Sequence, residues 1–260
     1  MPRPSPADSG HYEPVLVNGG RVRGYPTSSN RASSFHLHWL PREVLSEVAV
    51  TLEIAAKPAV ADLYFWALQA SFTGSSGISG GAHLGLQWHP SYPGSAAVNW
   101  GGYSRDGSIL EGTDSALPST LGNANTRDYP WVPEERYRLR IHADGAGWWA
   151  GNVTSLATGV TTSVRKLRSE GEGLTLAMVW SEVFARCDAP PAAAVWSDPA
   201  GVRLDGSQWR PQSYSITYQR EEDGGCSNTD VRVLPGGVGQ FTGMTRSTHA
   251  GAIVTIPPSD

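Results

Sequence analysis

The sequence predicts an all-β fold: an antiparallel two-sheet β-sandwich of the jelly-roll or concanavalin-like kind, with little helix. Three observations support this prediction. Apolar and polar residues alternate with a period of two in several segments, which is the pattern of half-buried strands. Turn sequences such as NGG, ADG, EDGG and PGG separate these segments. The 30 glycines and 19 prolines are spread along the chain, as expected for many turns between short strands.

Eight segments are predicted to be strands. SEVAVTLEIA shows the pattern best, because its valines, leucine and isoleucine fall on one face and its glutamates and threonine on the other. LYFWALQASF, GLTLAMVW and AIVTI are more continuously apolar. In chain order the segments are SFHLHWL (34–40), SEVAVTLEIA (46–55), LYFWALQASF (63–72), HLGLQWHP (83–90), RYRLRIH (136–142), GLTLAMVW (173–180), SYSITYQ (213–219) and AIVTI (252–256).

The remaining segments predict one domain. Residues 1–12 are interpreted as a flexible lead-in, and 13–260 as a single β-sandwich domain. PREVLSEV (41–48) is the best helical candidate, but it runs directly into a predicted strand. The Pro- and Ala-rich stretch 187–212 is interpreted as a long loop. Stretch 101–133 is broken by Gly-Gly, Asp-Gly, Leu-Pro and Tyr-Pro pairs, which favours a loop folded over a sheet face.

Composition excludes several functional classes. The net charge of −4 gives no reason to expect a nucleic-acid partner. No apolar run is long enough to span a membrane, so no membrane partner is expected. The phosphate-binding motifs of nucleotide and dinucleotide sites do not occur with a following helix, and we expect no cofactor. The sequence does not predict an oligomeric state.

The cellular compartment stays open at this stage. The first residues, MPRPSPADSGHYEP, contain no charged segment followed by an apolar one, so no signal peptide is predicted. The chain is then cytoplasmic by default, or secreted if a leader has been removed. Cys187 and Cys226 form either one disulfide or two free thiols, and their spacing does not match a zinc site.

The most informative segment is HLGLQWHP, which alternation divides into two faces. Its leucines and Trp88 share one face, which suits a core. His83, Gln87 and His89 share the other face with Gly85. A glycine there permits close approach of a ligand or of another backbone. This polar face is either an ordinary solvated surface or one wall of a binding site.

A second histidine pair lies on the polar side of another predicted strand. His36 and His38 are two residues apart in SFHLHWL, so their side chains point the same way. If this strand neighboured 83–89, a histidine cluster would result, and imidazoles bind transition metals. We nevertheless expect no metal site, with His36 and His38 as the only alternative.

Gln87-Trp88-His89 resembles the Gln-Ile/Val-His strand of alginate-lyase-type jelly rolls. This resemblance implies a catalytic face on which a histidine acts as base and a glutamine helps to neutralise a uronate carboxylate. The arginine-rich and Tyr-Phe-Lys-Ala-Gly strands of that family have no counterpart here. The candidate catalytic residues are His83, Gln87, His89, Tyr103 as acid and Arg105.

A further candidate is Glu182, an acid between two aromatic residues in VWSEVF. It is either partly desolvated with a raised pKa, or part of a sugar-binding platform, or an ordinary strand end facing water. Aromatic rings stack on sugar C–H faces, and amides and imidazoles supply directed hydrogen bonds. The candidate substrate-binding residues are Trp66, Gln69, Trp100, Trp180 and Glu182.

The order of YPWVPEERYRLRI, GWWAGNVTSLATG and VWSEVFARCDAP resembles that in a family of uncharacterised actinobacterial β-rich proteins. That family is similar to a jelly-roll domain of unknown function in bacterial carbohydrate-associated proteins. The resemblance covers about residues 60–200 and implies a jelly-roll sandwich and a link to glycans. It supplies no catalytic residues.

Three functions follow from these observations. The first is a β-sandwich that binds or processes carbohydrate on a concave sheet face, so that its partner is a glycan or a small-molecule ligand. The second is a lyase acting on a polyuronate or a small molecule, with a histidine base and a tyrosine acid. The third is a structural β-sandwich without a small-molecule site. The sequence does not decide whether the protein is an enzyme.

Overall fold

In the computed structural model, which describes residues 20–258, the chain is built almost entirely of antiparallel strands. The predicted lead-in 1–12 lies outside the described residues. Apart from one short 3₁₀ turn at Pro93–Ser95, the described elements are the strands β1 Ser33–Leu40, β2 Leu45–Ala56, β3 Tyr64–Gly74, β4 Gly77–Trp88, β5 Ala96–Ser104, β6 Thr126–Asp128, β7 Arg136–Ala143, β8 Trp148–Ser155, β9 Thr161–Arg168, β10 Gly173–Val183, β11 Ala193–Arg203, β12 Gln208–Trp209, β13 Ser213–Tyr218, β14 Thr229–Leu234, β15 Gly237–Thr242 and β16 Ile253–Thr255.

The strands form two layers. The first layer has the order β16-β13-β1-β10-β3-β4-β5-β6, and the second has the order β14-β15-β11-β2-β7-β8-β9 with β12 beside β11. A single residue pair, Leu174 with Leu45, joins the layers through β10 and β2. The all-β sandwich prediction is therefore confirmed, and no helix in residues 20–258 is long and apolar enough to cross a membrane.

Alternation along each strand creates the core between the layers. In β1, Phe35, Leu37 and Trp39 are buried while the residues between them are partly exposed. The same pattern holds for β7 and β13. Burying one face of each strand removes apolar area from water, which is the main favourable term in folding. All eight predicted strand segments lie wholly or mainly in observed strands.

Two segments differ from their predictions. Stretch 187–212 contains β11 and β12 and is not one long loop. Its strand pattern is hidden because small alanines fill buried positions, and because Pro199 interrupts the run. Proline is tolerated there since the register with β2 shifts between Ser197 and Ala200, where a bulge needs no ladder N–H. PREVLSEV forms no helix, because β2 begins at Leu45.

The stretch 101–133 connects the edges of the two layers. Its backbone bonds to β9 through Thr113 with Lys166, and through Arg168 with Glu111. It bonds to β5 through the N–H of Trp100, which donates to the Asn125 carbonyl, and it contains β6. The segment therefore closes the side of the sandwich at β5 and β9.

Cys187 and Cys226 form a disulfide with a Cα–Cα distance of 5.6 Å. It links the segment after β10 to the segment before β14. The two alternatives left open by the sequence are thus resolved in favour of the bridged state.

One buried amide ties the two layers together. Gln240 of β15 donates from Nε2 to the Phe35 carbonyl in β1 at 2.7 Å. Its Oε1 accepts hydrogen bonds from Ser181 Oγ and from Trp196 Nε1, both at 2.8 Å. Gln240 is almost fully buried, so these bonds form where water does not compete.

We expect Gln240→Leu to lower the free energy of unfolding by roughly 3 kcal/mol or more, because it leaves a buried O–H, N–H and carbonyl without partners. Urea denaturation measures the change. Gln208→Leu, at an exposed position in β12, is the matched control and should stay within about 0.5 kcal/mol of wild type. A Gln240→Leu protein as stable as the control would show that the amide does not hold the layers together.

Candidate functional site

The candidate site is the outer face of the first layer, which points away from the core. Since Phe35 and Leu37 face the core, Ser34 and His36 must face outward. Strand pairing then sets outward residues side by side across the layer. Along this outer face the main residues are Ser34, His36 and His38 in β1, Met178, Trp180 and Glu182 in β10, Phe65, Ala67 and Gln69 in β3, His83, Gly85 and Gln87 in β4, and Asn99, Gly101 and Tyr103 in β5.

Glu182 forms the centre of a polar group at one end of this face. Its Oε1 accepts hydrogen bonds from Asn30 Nδ2 at 2.6 Å and from Ser34 Oγ at 3.3 Å. Burial raises the pKa of the Glu182 carboxyl, and these two hydrogen bonds oppose the rise. Of the three interpretations of Glu182 given by the sequence analysis, the structure agrees with a partly desolvated acid whose pKa is raised.

His36 in β1 lies diagonally across from Glu182 in β10, and His38 lies two residues further along β1. Their rings stack with centroids 5.8 Å apart, and the His38 ring is hydrogen-bonded to Thr217 Oγ1 at 3.0 Å. Desolvation, and secondarily the proximity of His38, lower the pKa of His36 to about 4. Within residues 20–258, the His36 ring makes no hydrogen bond, so at neutral pH it presents an uncharged donor and acceptor.

An open cleft of about 430 Å³ lies over this polar end. Hydroxyl, amide and imidazole groups dominate its walls: it is lined by Ser29, Asn30, Ser34, His36, Thr217, Tyr218 and Gln219. Its size falls within the range of small-molecule sites, roughly 300–1,000 Å³.

An aromatic group lies next to the polar end. The Phe65 and Trp180 rings contact edge to face at 4.9 Å, and His83 lies 5.5 Å from Phe65 and 5.8 Å from Trp180. Trp180 Nε1 donates to Gln69 Oε1 at 2.9 Å, which fixes the indole. Desolvation lowers the pKa of His83 to about 4, so this ring is also neutral at pH 7.

The predicted catalytic set is only partly brought together. Gln69 lies opposite His83, and its Nε2 is 3.5 Å from the Tyr103 hydroxyl, so these three residues are neighbours. Tyr103 is 39% exposed, so its aromatic ring is accessible beside Gln69. Arg105 instead donates to the backbone carbonyls of Ser76, in the turn between β3 and β4, and of Ile78, at the start of β4.

The other members of the set lie away from His83. Gln87 is four residues further along β4, about 13 Å at the usual rise per residue, and is almost fully buried. His89 follows the end of β4 and contacts Tyr92. Gly85 allows the backbones of β4 and β3 to approach closely, because a Cβ there would lie 2.0 Å from the Trp66 carbonyl oxygen in β3.

Two predicted binding residues are in the core. Trp66 is 2% exposed and Trp100 is 0% exposed, and both point between the layers. The assignment of these two tryptophans to a ligand-binding face is therefore wrong. Alternation within LYFWALQASF places Trp66 opposite in direction to Gln69, so the two side chains never share a face.

The histidine pairs do not form a cluster. β10 and β3 separate β1 from β4, which keeps His36 and His38 apart from His83. In the part of the chain from 20 to 258, no three His, Cys, Asp or Glu residues are placed to hold a metal ion. The metal alternative at His36 and His38 thus has no third ligand in the described residues.

The outer face of the second layer differs from this site because ion pairs occupy it. Arg136 pairs with Asp198 at 3.0 Å, and Arg140 pairs with Glu47 at 2.5 Å. These arginines already have carboxylate partners and are poor candidates for binding another ligand.

Sequence reasoning missed Asn30, Thr217 and Gln219. Thr217 and Gln219 show the alternation of SYSITYQ, but the order of strands that places β13 beside β1 is not visible in the sequence. Asn30 precedes β1 in a turn and has no periodic signal.

The chain is similar to known proteins in the arrangement of its backbone, but not in its sequence. No family model matches the chain, and no curated protein is significantly similar in sequence. It is similar in structure to scytalido-glutamic peptidase bound to a peptide-based transition-state analogue, with 12% identity, a TM-score of 0.45, and coverage of 80% of this chain and 97% of that one.

Two other solved structures are similar over less of the chain. A β-1,3-1,4-glucanase (lichenase) from a mouse hindgut metagenome has 8% identity and a TM-score of 0.28, over 58% of this chain and 78% of that one. Peanut lectin has 10% identity and a TM-score of 0.28, over 65% of this chain and 94% of that one. At these identities and TM-scores the similarity assigns no activity to this chain.

The neutral histidines predict a pH dependence of stability. Between pH 7 and 5 the unfolded chain protonates its histidines near pH 6.5, while His36 and His83 resist protonation until about pH 4 in the fold. The unfolded state then binds more protons, so the free energy of unfolding falls as pH falls, by about 2 kcal/mol for each histidine over this window.

Urea titrations at pH 7 and 5 measure this loss. His83→Gln should reduce the loss, and Gln208→Leu, which replaces an exposed residue that does not titrate, should leave it as in wild type. Equal losses in His83→Gln and Gln208→Leu would contradict the assignment.

Proposed function

We propose that this protein binds carbohydrate on the outer face of its first layer, at the cleft over Glu182 and His36. The observation that carries the proposal is the lining of the cleft, which combines amide, hydroxyl and imidazole groups. Two of the lining residues, Asn30 and Ser34, donate hydrogen bonds to the Glu182 carboxylate. Sugars present many hydroxyls, and each needs a directed donor or acceptor of this kind.

Unused hydrogen-bonding capacity supports the proposal. Glu182 Oε1 accepts two hydrogen bonds, but within residues 20–258 no donor contacts Oε2. The His36 ring likewise has no hydrogen-bonding partner there. Polar groups that are partly desolvated and unpaired gain most when a ligand supplies the missing partner.

The apolar and aromatic residues beside the cleft differ in how far the C–H face of a sugar can reach them. Phe65, Ala67 and Trp180 form a small apolar cluster with Met178 on this outer face, separate from the core. Phe65, Ala67 and Trp180 are only 6%, 0% and 6% exposed, so the predicted sugar contact of Trp180 is not an open ring face, and Met178 is the partly exposed member of the cluster. Tyr103, at the far end of the face, offers a more exposed ring to a longer ligand.

The charges favour binding over carboxylate-pair hydrolysis. A glycosidase of the usual kind needs two carboxyl groups across the scissile bond. The pKa of Glu182 responds to burial and to its bonds with Ser34 and Asn30, and to no second acid among the described residues. A lyase with His83 as base and Tyr103 as acid has less support, because Arg105, Gln87 and His89 lie apart from that pair.

The test is binding to a panel of cellohexaose, laminarihexaose, xylohexaose, mannohexaose and hexagalacturonate, followed by calorimetry and by tryptophan fluorescence. We expect at least one oligosaccharide to bind. Glu182→Ala and His36→Ala should each weaken that binding about 10-fold, since a lost hydrogen bond to a desolvated group costs roughly 1.5 kcal/mol.

The matched control is His249→Ala, an exposed histidine that does not line the cleft, which should bind as wild type does. Circular dichroism of each variant establishes that the fold is kept. The proposal fails if no oligosaccharide in the panel binds, or if Glu182→Ala and His36→Ala bind as tightly as the control.

A further inference from the structure

Two arginines lie at the closed side of the sandwich, away from the cleft. Arg127 in β6 pairs with Val98, a fully buried core residue, so its side chain enters the space between the layers. Arg165 in β9 pairs with Gly151, where a Cβ would lie 2.7 Å from the ring of Trp100 in the core. Both side chains therefore point inward, from opposite layers.

Arg165 is deeply buried and only partly bonded. It is 6% exposed, and its Nη1 donates to the Ala124 carbonyl at 2.8 Å and to Asn125 Oδ1 at 3.1 Å. Its Nε is buried and has no partner in the described residues. The backbone of Gly112 covers the guanidinium, since a Cβ there would lie 2.0 Å from Nη2.

Arg127 forms fewer hydrogen bonds than Arg165. Its Nε is buried without a partner, and within residues 20–258 its guanidinium makes neither a hydrogen bond nor an ion pair. Trp100 Nε1, in the ring that packs on Gly151, is a third buried N–H without a partner. Buried N–H donors without acceptors therefore lie on both layers at this side of the sandwich.

The charges at this place are also unbalanced. Burial lowers the pKa of Arg165, the charge of Arg127 lowers it further, and Asp114 opposes both effects. Asp114 is exposed and forms no ion pair with either arginine. Two like charges with unpaired donors, one buried at Arg165 and one partly buried at Arg127, are costly unless an anion offsets them.

We propose that Arg127 and Arg165 form a binding site for an oxyanion (phosphate, sulfate or a carboxylate) between β6 and β9. The guanidinium fork matches the geometry of these anions and binds them through paired hydrogen bonds. Bound there, the anion accepts from the free donors and cancels the repulsion between the two arginines. The site is independent of the carbohydrate cleft, which lies on the outer face of the first layer.

Thermal unfolding in sodium phosphate, sodium sulfate or sodium acetate, each compared with sodium chloride at equal ionic strength, tests the proposal. Wild type should gain roughly 2 °C or more in Tm with at least one oxyanion, because a ligand that binds only the folded state stabilises it. Calorimetric titration with the same salt should show saturable binding.

Arg127→Gln is the diagnostic variant, since it removes no hydrogen bond between protein groups. It should lose the gain in Tm given by the oxyanion, while in sodium chloride its Tm should equal or exceed that of wild type. Arg23→Gln, at an exposed position, is the matched control and should keep the gain.

Hexagalacturonate distinguishes a free anion from an anionic group on a larger ligand. Arg127-dependent stabilisation by the inorganic salts or acetate alone assigns a free anion, and the same dependence with hexagalacturonate assigns the carboxylate of a larger ligand. The proposal is overturned if no oxyanion exceeds sodium chloride, or if Arg127→Gln keeps the full gain.

Discussion

The buried amide of Gln240 is the interaction on which the candidate site depends. It bonds the Phe35 carbonyl in β1 and the Ser181 hydroxyl in β10, and these two residues are directly paired across the strands. Because neighbouring residues in a strand point to opposite faces, fixing this pair fixes the outward residues on either side of it. If the pairing of β1 with β10 slipped by one residue, the outward side chains of the slipped strand would point into the core. The hydrogen bonds of Gln240 in the core therefore also fix which residues form the outer face.

The outer face gains its chemistry from partial desolvation. Aromatic rings surround His83, and burial keeps both His83 and His36 uncharged at neutral pH, while burial raises the pKa of Glu182. A face with neutral imidazoles and one acid suits a hydroxyl-rich ligand better than a highly charged one. The second layer has the opposite character, because carboxylates on its outer face are already paired with arginines.

Much of the fold follows from the sequence, because period-two alternation depends only on local chain geometry. That alternation predicted the strands and placed His36, His83 and Glu182 on outward faces. It did not reveal that β10 and β3 lie between β1 and β4, since strand order is set by packing over long sequence distances. Trp66 and Trp100 were misassigned because composition does not distinguish a core tryptophan from a binding platform. β11 was missed because alanines and Pro199 obscure its pattern.

The central claim is that the outer face of the first layer, held in register by Gln240, contacts a carbohydrate. The most direct measurement is amide chemical-shift mapping by nuclear magnetic resonance, with the oligosaccharide that binds most tightly. We expect the perturbed amides to belong to the residues around the cleft: Asn30, Ser34, His36, Glu182 and Thr217. Perturbations confined to the outer face of β7, at Arg136, Arg138 and Arg140, or spread without relation to the cleft, would contradict it.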